Sequence, residues 1–236
     1  MAKVGDIIDA RNAEWRFSGV ASTQFDAHVA RSVPFYAESH ELVLRLSDFF
    51  VHEESRVYDL GCATGTLLAG LAARHADRRL RLIGLDQEAD MVRLARQRCA
   101  EHNACTIEQV DIAAFDFEPC DLVVACYTLQ FVAPRVRQQV FDAIYRALEW
   151  GGAFVLFEKV RAPDARFQDI MSSLYVDHKL DQGYSGDEIV AKSRSLKGVL
   201  EPFSREGNLG LLERAGFVDV MSVFKYVCFE GFLAIK

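Results

Sequence analysis

The run Val57-Tyr58-Asp59-Leu60-Gly61-Cys62-Ala63-Thr64-Gly65 carries the reading of the whole chain. An apolar strand candidate, Arg56 to Leu60, delivers an acid near its end, and a glycine-bounded turn opens directly into a helical pattern over Thr66 to Arg74. Glycine there lets the backbone pass close to a ligand where any side chain would collide. The first N–H groups of the following helix have no partner within it and face whatever lies beyond the turn. Outward from this point the pattern repeats. Arg81 to Leu85 is a second strand, closing on Gly84-Leu85-Asp86, with a helix over Ala89 to Asn103 behind it. Cys105 to Val110 is a third, followed by Asp111-Ile112, and Cys120 to Cys126 a fourth, apolar enough to be buried on both faces. Pro134 to Leu148 reads as a helix stopped by Gly151-Gly152, and Ala153 to Phe157 as a fifth strand. Strands and helices alternating at this rhythm predict an α/β fold, a doubly wound and mostly parallel sheet with right-handed crossovers.

The flanks break the rhythm. Residues 1–55 carry no strand pattern and are expected to form a helical cover, with 56–160 as the core. Residues 161–215 read as a helical cap inserted after the fifth strand, with a polar stretch at Asp181 to Arg194. Val218 to Val227 and Phe229 to Ile235 are β-rich and predict an antiparallel hairpin within 216–236, broken at Glu230-Gly231. All of this fits one domain over residues 1–236, whose cover and cap close a cleft at the C-terminal strand ends.

Composition excludes several classes of function. A net charge of −7 over 236 residues, with basic side chains scattered among acids, argues against a phosphate-tracking surface. The six cysteines (Cys62, Cys99, Cys105, Cys120, Cys126 and Cys228) show no paired CxxC spacing and no accompanying histidine cluster, so neither a metal framework nor disulfides are expected. Dispersed thiols suit a reducing compartment. Met1 to Arg16 has acids and no apolar core of a signal peptide, and no stretch approaches the ~18 apolar residues of a membrane span. The expectation is a cytoplasmic protein with a small-molecule partner, no direct nucleic acid and no membrane.

The acids specify the ligand. An acid closing the second strand, Asp86, is placed to accept hydrogen bonds from both hydroxyls of a ribose. The turn lacks the lysine and hydroxyl of a triphosphate loop, and Asp59 before it would repel a pyrophosphate. A cationic, phosphate-free nucleoside suits such a site. S-adenosylmethionine, with a sulfonium and an ammonium beside adenosine, has that character.

Val57–Gly65 resembles motif I of class I methyltransferases, which casts Asp86 as their ribose acid and Asp111-Ile112 as their adenine-edge pair. Across nearly the whole chain the sequence resembles the carboxy-S-adenosylmethionine synthase family. The pieces are Trp15-x-Phe17, Arg31-Ser32-Val33-Pro34-x-Tyr36, Tyr58–Cys62, Thr128-Leu129-Gln130-Phe131, Glu158-Lys159, Gly183-Tyr184-Ser185 and Ala215-Gly216-Phe217. The resemblance implies a homodimer. It also implies synthesis of a carboxylated cofactor from S-adenosylmethionine and prephenate, for tRNA wobble-uridine modification. The cofactor contacts expected from motif and resemblance together are Tyr36, Gly61, Cys62, Ala63, Gly65, Asp86, Gln87, Asp111, Ile112 and Cys126.

Two departures bear on the reaction. Ungapped alignment from Gly183 to Leu196 puts Ser193 where the family has the arginine thought to hold the distinguishing carboxylate, and a serine cannot supply that charged fork. Cys126 stands where the family has an asparagine. The expectation drawn from both is ordinary methyl transfer to a small aromatic or heterocyclic acceptor, with carboxylated-cofactor synthesis as the alternative. Candidate acceptor-side residues are Tyr127, Gln130, Phe131, Glu158, Tyr175, His178 and Tyr184. His178 is the expected general base, with Glu158 and Tyr184 beside it.

Overall fold

The computed structural model describes residues 2–5 and 8–236. Its first elements depart from expectation: Ala2–Lys3 (β1) and Asp9–Ala10 (β2) pair as a short antiparallel ribbon where no strand pattern is legible. Three helices complete the cover, Val20–Thr23 (α1), Phe25–Ser32 (α2) and Tyr36–Ser47 (α3). The alternating core follows as Arg56–Leu60 (β3), Thr66–Arg74 (α4), Arg81–Asp86 (β4), Ala89–Arg98 (α5), Cys105–Gln109 (β5), Cys120–Cys126 (β6), Pro134–Ala147 (α6) and Leu148–Lys159 (β7). Ala165–Asp181 (α7), Gly186–Ser195 (α8) and Arg205–Ala215 (α9) come next, before Asp219–Tyr226 (β8) and Phe229–Ile235 (β9).

Among the described residues the main sheet has seven strands in the order β5-β4-β3-β6-β7-β9-β8. The first five run parallel, and β9 lies antiparallel between β7 and β8. Alternate residues of the central strands feed two apolar layers. Val57, Leu122, Val124 and Val155 pack toward α3, α4 and α5, while Tyr58, Val123, Ala125 and Leu156 pack toward α6 and α9. Fully burying each such side chain is worth about 1.5–3 kcal/mol, so the two layers fix the strand order that brings the C-terminal strand ends together.

The glycine turn is shaped by crowding. Gly61 holds φ +68, and a Cβ there would sit 2.4 Å from the Thr128 side chain. Gly65 holds φ +77 against the backbone of Ala95, where a Cβ would come within 3.1 Å. Only glycine meets both conditions without strain.

Several boundaries differ from the sequence reading. The helix expected to reach Asn103 stops at Arg98, and Gly151-Gly152 falls inside β7, not at a helix end. The hairpin turns at Val227-Cys228, with Val227 at φ +48, so Glu230 and Gly231 are paired within β9. Gly231 is there for packing, since a Cβ would lie 2.6 Å from the Phe157 ring. The polar stretch Asp181 to Arg194 is mostly helix, started by a capping box in which Ser185 and Glu188 satisfy each other's backbone N–H groups.

Cover and cap are tied together. Ala13 and Trp15 donate backbone N–H groups to the carbonyls of Arg194 and Ser195, and Tyr175 Oη donates to the Ser32 carbonyl at 2.8 Å. The cover is also latched to the core: Asp26 accepts from Thr64 Oγ1 and from Arg98 Nη2, each at 2.6 Å.

Candidate active site

A cavity of about 500 Å³ opens at the C-terminal ends of the parallel strands, roofed by α2 and α3 of the cover and by α7 and α8 of the cap. Nine of the ten expected cofactor residues line it: Tyr36, Gly61, Cys62, Ala63, Asp86, Gln87, Asp111, Ile112 and Cys126. Gly65 does not. It lies beneath the turn against Ala95 and Cys99, where it shapes the loop without facing the cavity.

The acidic end is pre-set by backbone. Asp86 Oδ2 accepts from the Ala63 N–H at 3.0 Å and Oδ1 from the Glu88 N–H at 2.9 Å, which aims the carboxylate and holds Ala63 at φ +48. Asp111 Oδ1 accepts from the Ala113 N–H, starting a 3-10 turn over Ile112–Ala114 that buries Ile112 against the cavity. Asp59 differs: it is buried, and its Oδ2 has no hydrogen-bond partner. Burial, reinforced by the Asp86 charge, lifts its carboxyl to about 7. An orphaned carboxylate oxygen beside the turn fits a group that brings positive charge and N–H donors, as the ammonium of S-adenosylmethionine does. Cys62 and Cys126 are not nucleophiles here, because burial and nearby carboxylates push both thiols far above their ordinary range.

Tyr36 begins α3 and places its ring centroid 4.4 Å from that of His40. Burial raises the Tyr36 phenol and lowers His40 to about 4, so both are neutral at pH 7. Tyr127, held at φ +60 just after β6, lines the cavity with Gln130, Phe131 and Tyr175, as expected from sequence. Gln130 fixes this wall by donating to the Tyr127 carbonyl and accepting from the Lys159 N–H.

The three residues expected to do acceptor chemistry, His178, Glu158 and Tyr184, do not line the cavity. Glu158 points to the opposite side of the sheet from Phe157 and Lys159, because side chains alternate along β7. Its carboxyl is fully buried and lifted to about 8 by desolvation, which the Arg137 charge only partly offsets. His178 stacks behind Tyr175, with centroids 6.3 Å apart and rings 9° from parallel. Tyr184 lies behind His28, its hydroxyl 3.3 Å from both His28 Nδ1 and Ser32 Oγ.

What faces that end instead is aromatic and cationic. Trp15, Phe17, Phe25, Phe131 and Phe229 line the cavity together with Lys159 and Lys192. Lys192 Nζ sits 2.6 Å from His28 Nε2 and 3.0 Å from the centroid of the Trp15 ring. Ser193 and Arg194 are exposed on the outer side of α8. Position 193 therefore does not face this cavity, and replacing an arginine there by Ser193 leaves Lys192 as the inward cation of the helix. His28, His40, Lys159 and Lys192 were not expected. Periodicity gives the signal for the two lysines, one residue along from Glu158 and one before Ser193.

Comparison with known proteins agrees with this geometry. A methyltransferase domain model matches residues 57–152. The carboxy-S-adenosyl-L-methionine synthase of Campylobacter lari is 37% identical over 224 residues, covering 94% of this chain and 95% of that protein. The chain belongs to the carboxy-S-adenosyl-L-methionine synthase family. A second member of this family, from Staphylococcus epidermidis, is 36% identical over 94% of this chain and 97% of its own length. Solved structures share the fold at lower identity. Human N-acetylserotonin methyltransferase, solved with its cofactor, superposes with a TM-score of 0.62 at 17% identity, over 92% of this chain but 56% of the human one. A possible exported protein of Bordetella parapertussis gives 0.66 at 18% identity, over 96% and 75%. The family and the fold make the chain an enzyme of the S-adenosylmethionine-dependent class I type. Among the described residues no helix is long and apolar enough to cross a membrane, and no group of three metal-binding side chains is gathered.

Proposed function

We propose that this chain makes a carboxylated form of S-adenosylmethionine, drawing the carboxyl group from a small carboxylate donor; the family resemblance names prephenate. The carrying observation is the polarity of the cavity. Asp59 and Asp86 come from β3 and β4, on one side of β6, and Lys159 from β7 on the other, with Lys192 added from α8 and aromatic rings in the same lining. A cationic nucleoside and an anionic ring-bearing donor are each drawn to the groups of opposite charge. This reverses the weight given to Ser193, since the cavity keeps cations that do not depend on that position.

In this reading Asp86 accepts from the ribose hydroxyls, Asp59 from the ammonium, and Ile112 packs against the adenine beside Asp111. Tyr36, a neutral phenol, is a donor toward the methionine portion. When bound, S-adenosylmethionine supplies a methyl group whose carbon is activated by the sulfonium. The chain's own residues hold the donor's carboxylates through Lys159 and Lys192, align its ring against Phe131 and Phe229, and exclude water beneath the cover and cap. In balance, the carboxyl carbon of prephenate passes to the methyl carbon, one methyl proton and the ring hydroxyl leave as water, and phenylpyruvate remains.

A second reading, methyl transfer to a small aromatic acceptor, is favoured by Cys126 and Ser193, where the family has asparagine and arginine. Incubating the protein with S-adenosylmethionine and prephenate, with mass spectrometry of the nucleoside and assay of phenylpyruvate, separates the two. The proposal further takes the protein as a cytoplasmic homodimer that acts on small molecules and not directly on tRNA. Sedimentation and a filter-binding assay test these points.

A further inference from the structure

Lys159, on β7, and Lys179, on α7, bring their ammonium groups to one aromatic ring. Lys159 Nζ is 4.2 Å and Lys179 Nζ 4.5 Å from the centroid of Tyr175. Both chains are largely enclosed, with Lys179 9% exposed. Buried lysines are ordinarily paired with a carboxylate. Among the described residues neither of these is within salt-bridge distance of one, and neither nitrogen makes a hydrogen bond. The charges that reach Lys159 are the Cys228 thiol, Lys197 and Arg161; those that reach Lys179 are Lys159 and Cys228. Burial lowers both amines, with repulsion from Lys159 helping to bring Lys179 to about 8 and repulsion from Lys197 and Arg161 adding to the lowering of Lys159. Cys228 gives no counter-charge, since burial raises its thiol.

The Tyr175 ring is held in place between the two elements, its hydroxyl donating to the Ser32 carbonyl at 2.8 Å and its edge against Phe229 at 5.4 Å. Lys159 and Tyr175 line the main cavity. Lys179 lines a small hollow next to it, with which the cavity shares His28, Ser32 and Lys192. Glu188 also lines that hollow, but its carboxylate accepts from the Ser185 N–H and hydroxyl and makes no ion pair with Lys179, so two cations gathered without an ion-pair partner constitute a cost to the ligand-free fold that an incoming anion would relieve. Cation–π contact with Tyr175 offsets part of that cost and fixes where the nitrogens stand.

We infer that Lys159, Lys179 and Tyr175 form the receptor for a carboxylate of the second substrate, selecting small ring-bearing carboxylates over their neutral counterparts. This inference rests on the proposed function for the identity of the second substrate, but the receptor itself can be tested by binding alone. Phenylpyruvate and its uncharged methyl ester are the probes, titrated calorimetrically into the protein with S-adenosylhomocysteine present. The ester should bind at least tenfold more weakly than the carboxylate. Lys159→Gln and Lys179→Gln should each lose tenfold or more in phenylpyruvate affinity, keep S-adenosylhomocysteine affinity within about twofold, and recover part of the loss as Lys→Arg. Removing an unpaired buried charge should also raise the melting temperature of the ligand-free Lys179→Gln protein by about 2–4 °C, opposite in sign to the loss of a structural contact. Equal affinity for acid and ester, failure of the wild type to bind phenylpyruvate, or undiminished affinity in both glutamine variants overturns the inference. If the receptor behaves as stated but no carboxylated product forms in turnover, the receptor stands and the proposed reaction falls.

Discussion

Replacing Asp59 by Asn should reverse the relation between stability and cofactor affinity. In the ligand-free protein the Asp59 carboxyl is lifted to about 7 by burial and by Asp86, against about 3.9 in an unfolded chain. A folded-state value above the unfolded one means that the fold binds this proton more tightly. The stabilisation is fully present below about pH 4 and is lost as pH rises through 7. Three units correspond to at most about 4 kcal/mol at pH 8, an order-of-magnitude ceiling. Asp59→Asn removes the ionisable group and leaves an amide of the same shape, so the ligand-free variant should melt higher than wild type at pH 8, by a margin that shrinks as pH falls and vanishes only near pH 4. Affinity should move the other way. If the ionised carboxylate receives the cofactor's ammonium, wild-type affinity for S-adenosylhomocysteine falls about tenfold for each pH unit below 7. The asparagine variant should be weaker at pH 8 by about 1.5–3 kcal/mol, the scale of a hydrogen bond to a charged group, and its affinity should be flat between pH 5 and 8. Calorimetric titrations at four pH values, paired with melting curves, measure both. A variant that keeps the wild-type pH slope would refute the assignment of Asp59 to the ammonium.

Asp86→Ala should weaken S-adenosylhomocysteine binding by about 1.5–3 kcal/mol by calorimetry, and should also lower the melting temperature, because Ala63 and Glu88 lose the acceptor that holds their N–H groups. Asp26→Asn should speed release of S-adenosylhomocysteine severalfold in stopped-flow chase experiments, since it weakens the latch of the cover to Thr64 and Arg98; an unchanged rate would mean the cover does not open to release the cofactor. Hydrogen exchange of the peptide Gly183–Arg194 should slow when cofactor and phenylpyruvate are both bound, by comparison with the free protein. Equal exchange there, with protection at Gly61–Gly65, would remove α8 from the closing machinery.

How much of this was legible in the sequence depends on which period governed each residue. The five parallel strands were readable as short apolar runs, and the acids because three of the strands, β3, β4 and β5, close at or near one, Asp59, Asp86 and Asp111. On β7 and α8 the residues were chosen by chemistry without their period. Along β7 the alternation of two puts Lys159, not Glu158, in the cavity, with Phe157 on the same side. On α7, His178 and Lys179 lie three and four residues from Tyr175 and both meet its ring, so the helical period does not choose between them. On α8 the step of about 100° per residue separates Lys192 from Ser193. The ribbon of β1 and β2 was not legible, being two residues per strand and held by backbone bonding that leaves no apolar pattern. Gly231 misled because glycine signals a turn and equally signals room for a neighbour's ring.

The central claim is that one cavity joins a cationic nucleoside to a carboxylate donor, and the most direct test is the mass of the nucleoside after incubation with S-adenosylmethionine and prephenate. The account predicts a product heavier than S-adenosylmethionine by one carboxyl group in place of hydrogen, formed in equal amount with phenylpyruvate. Unchanged S-adenosylmethionine with no phenylpyruvate would contradict it.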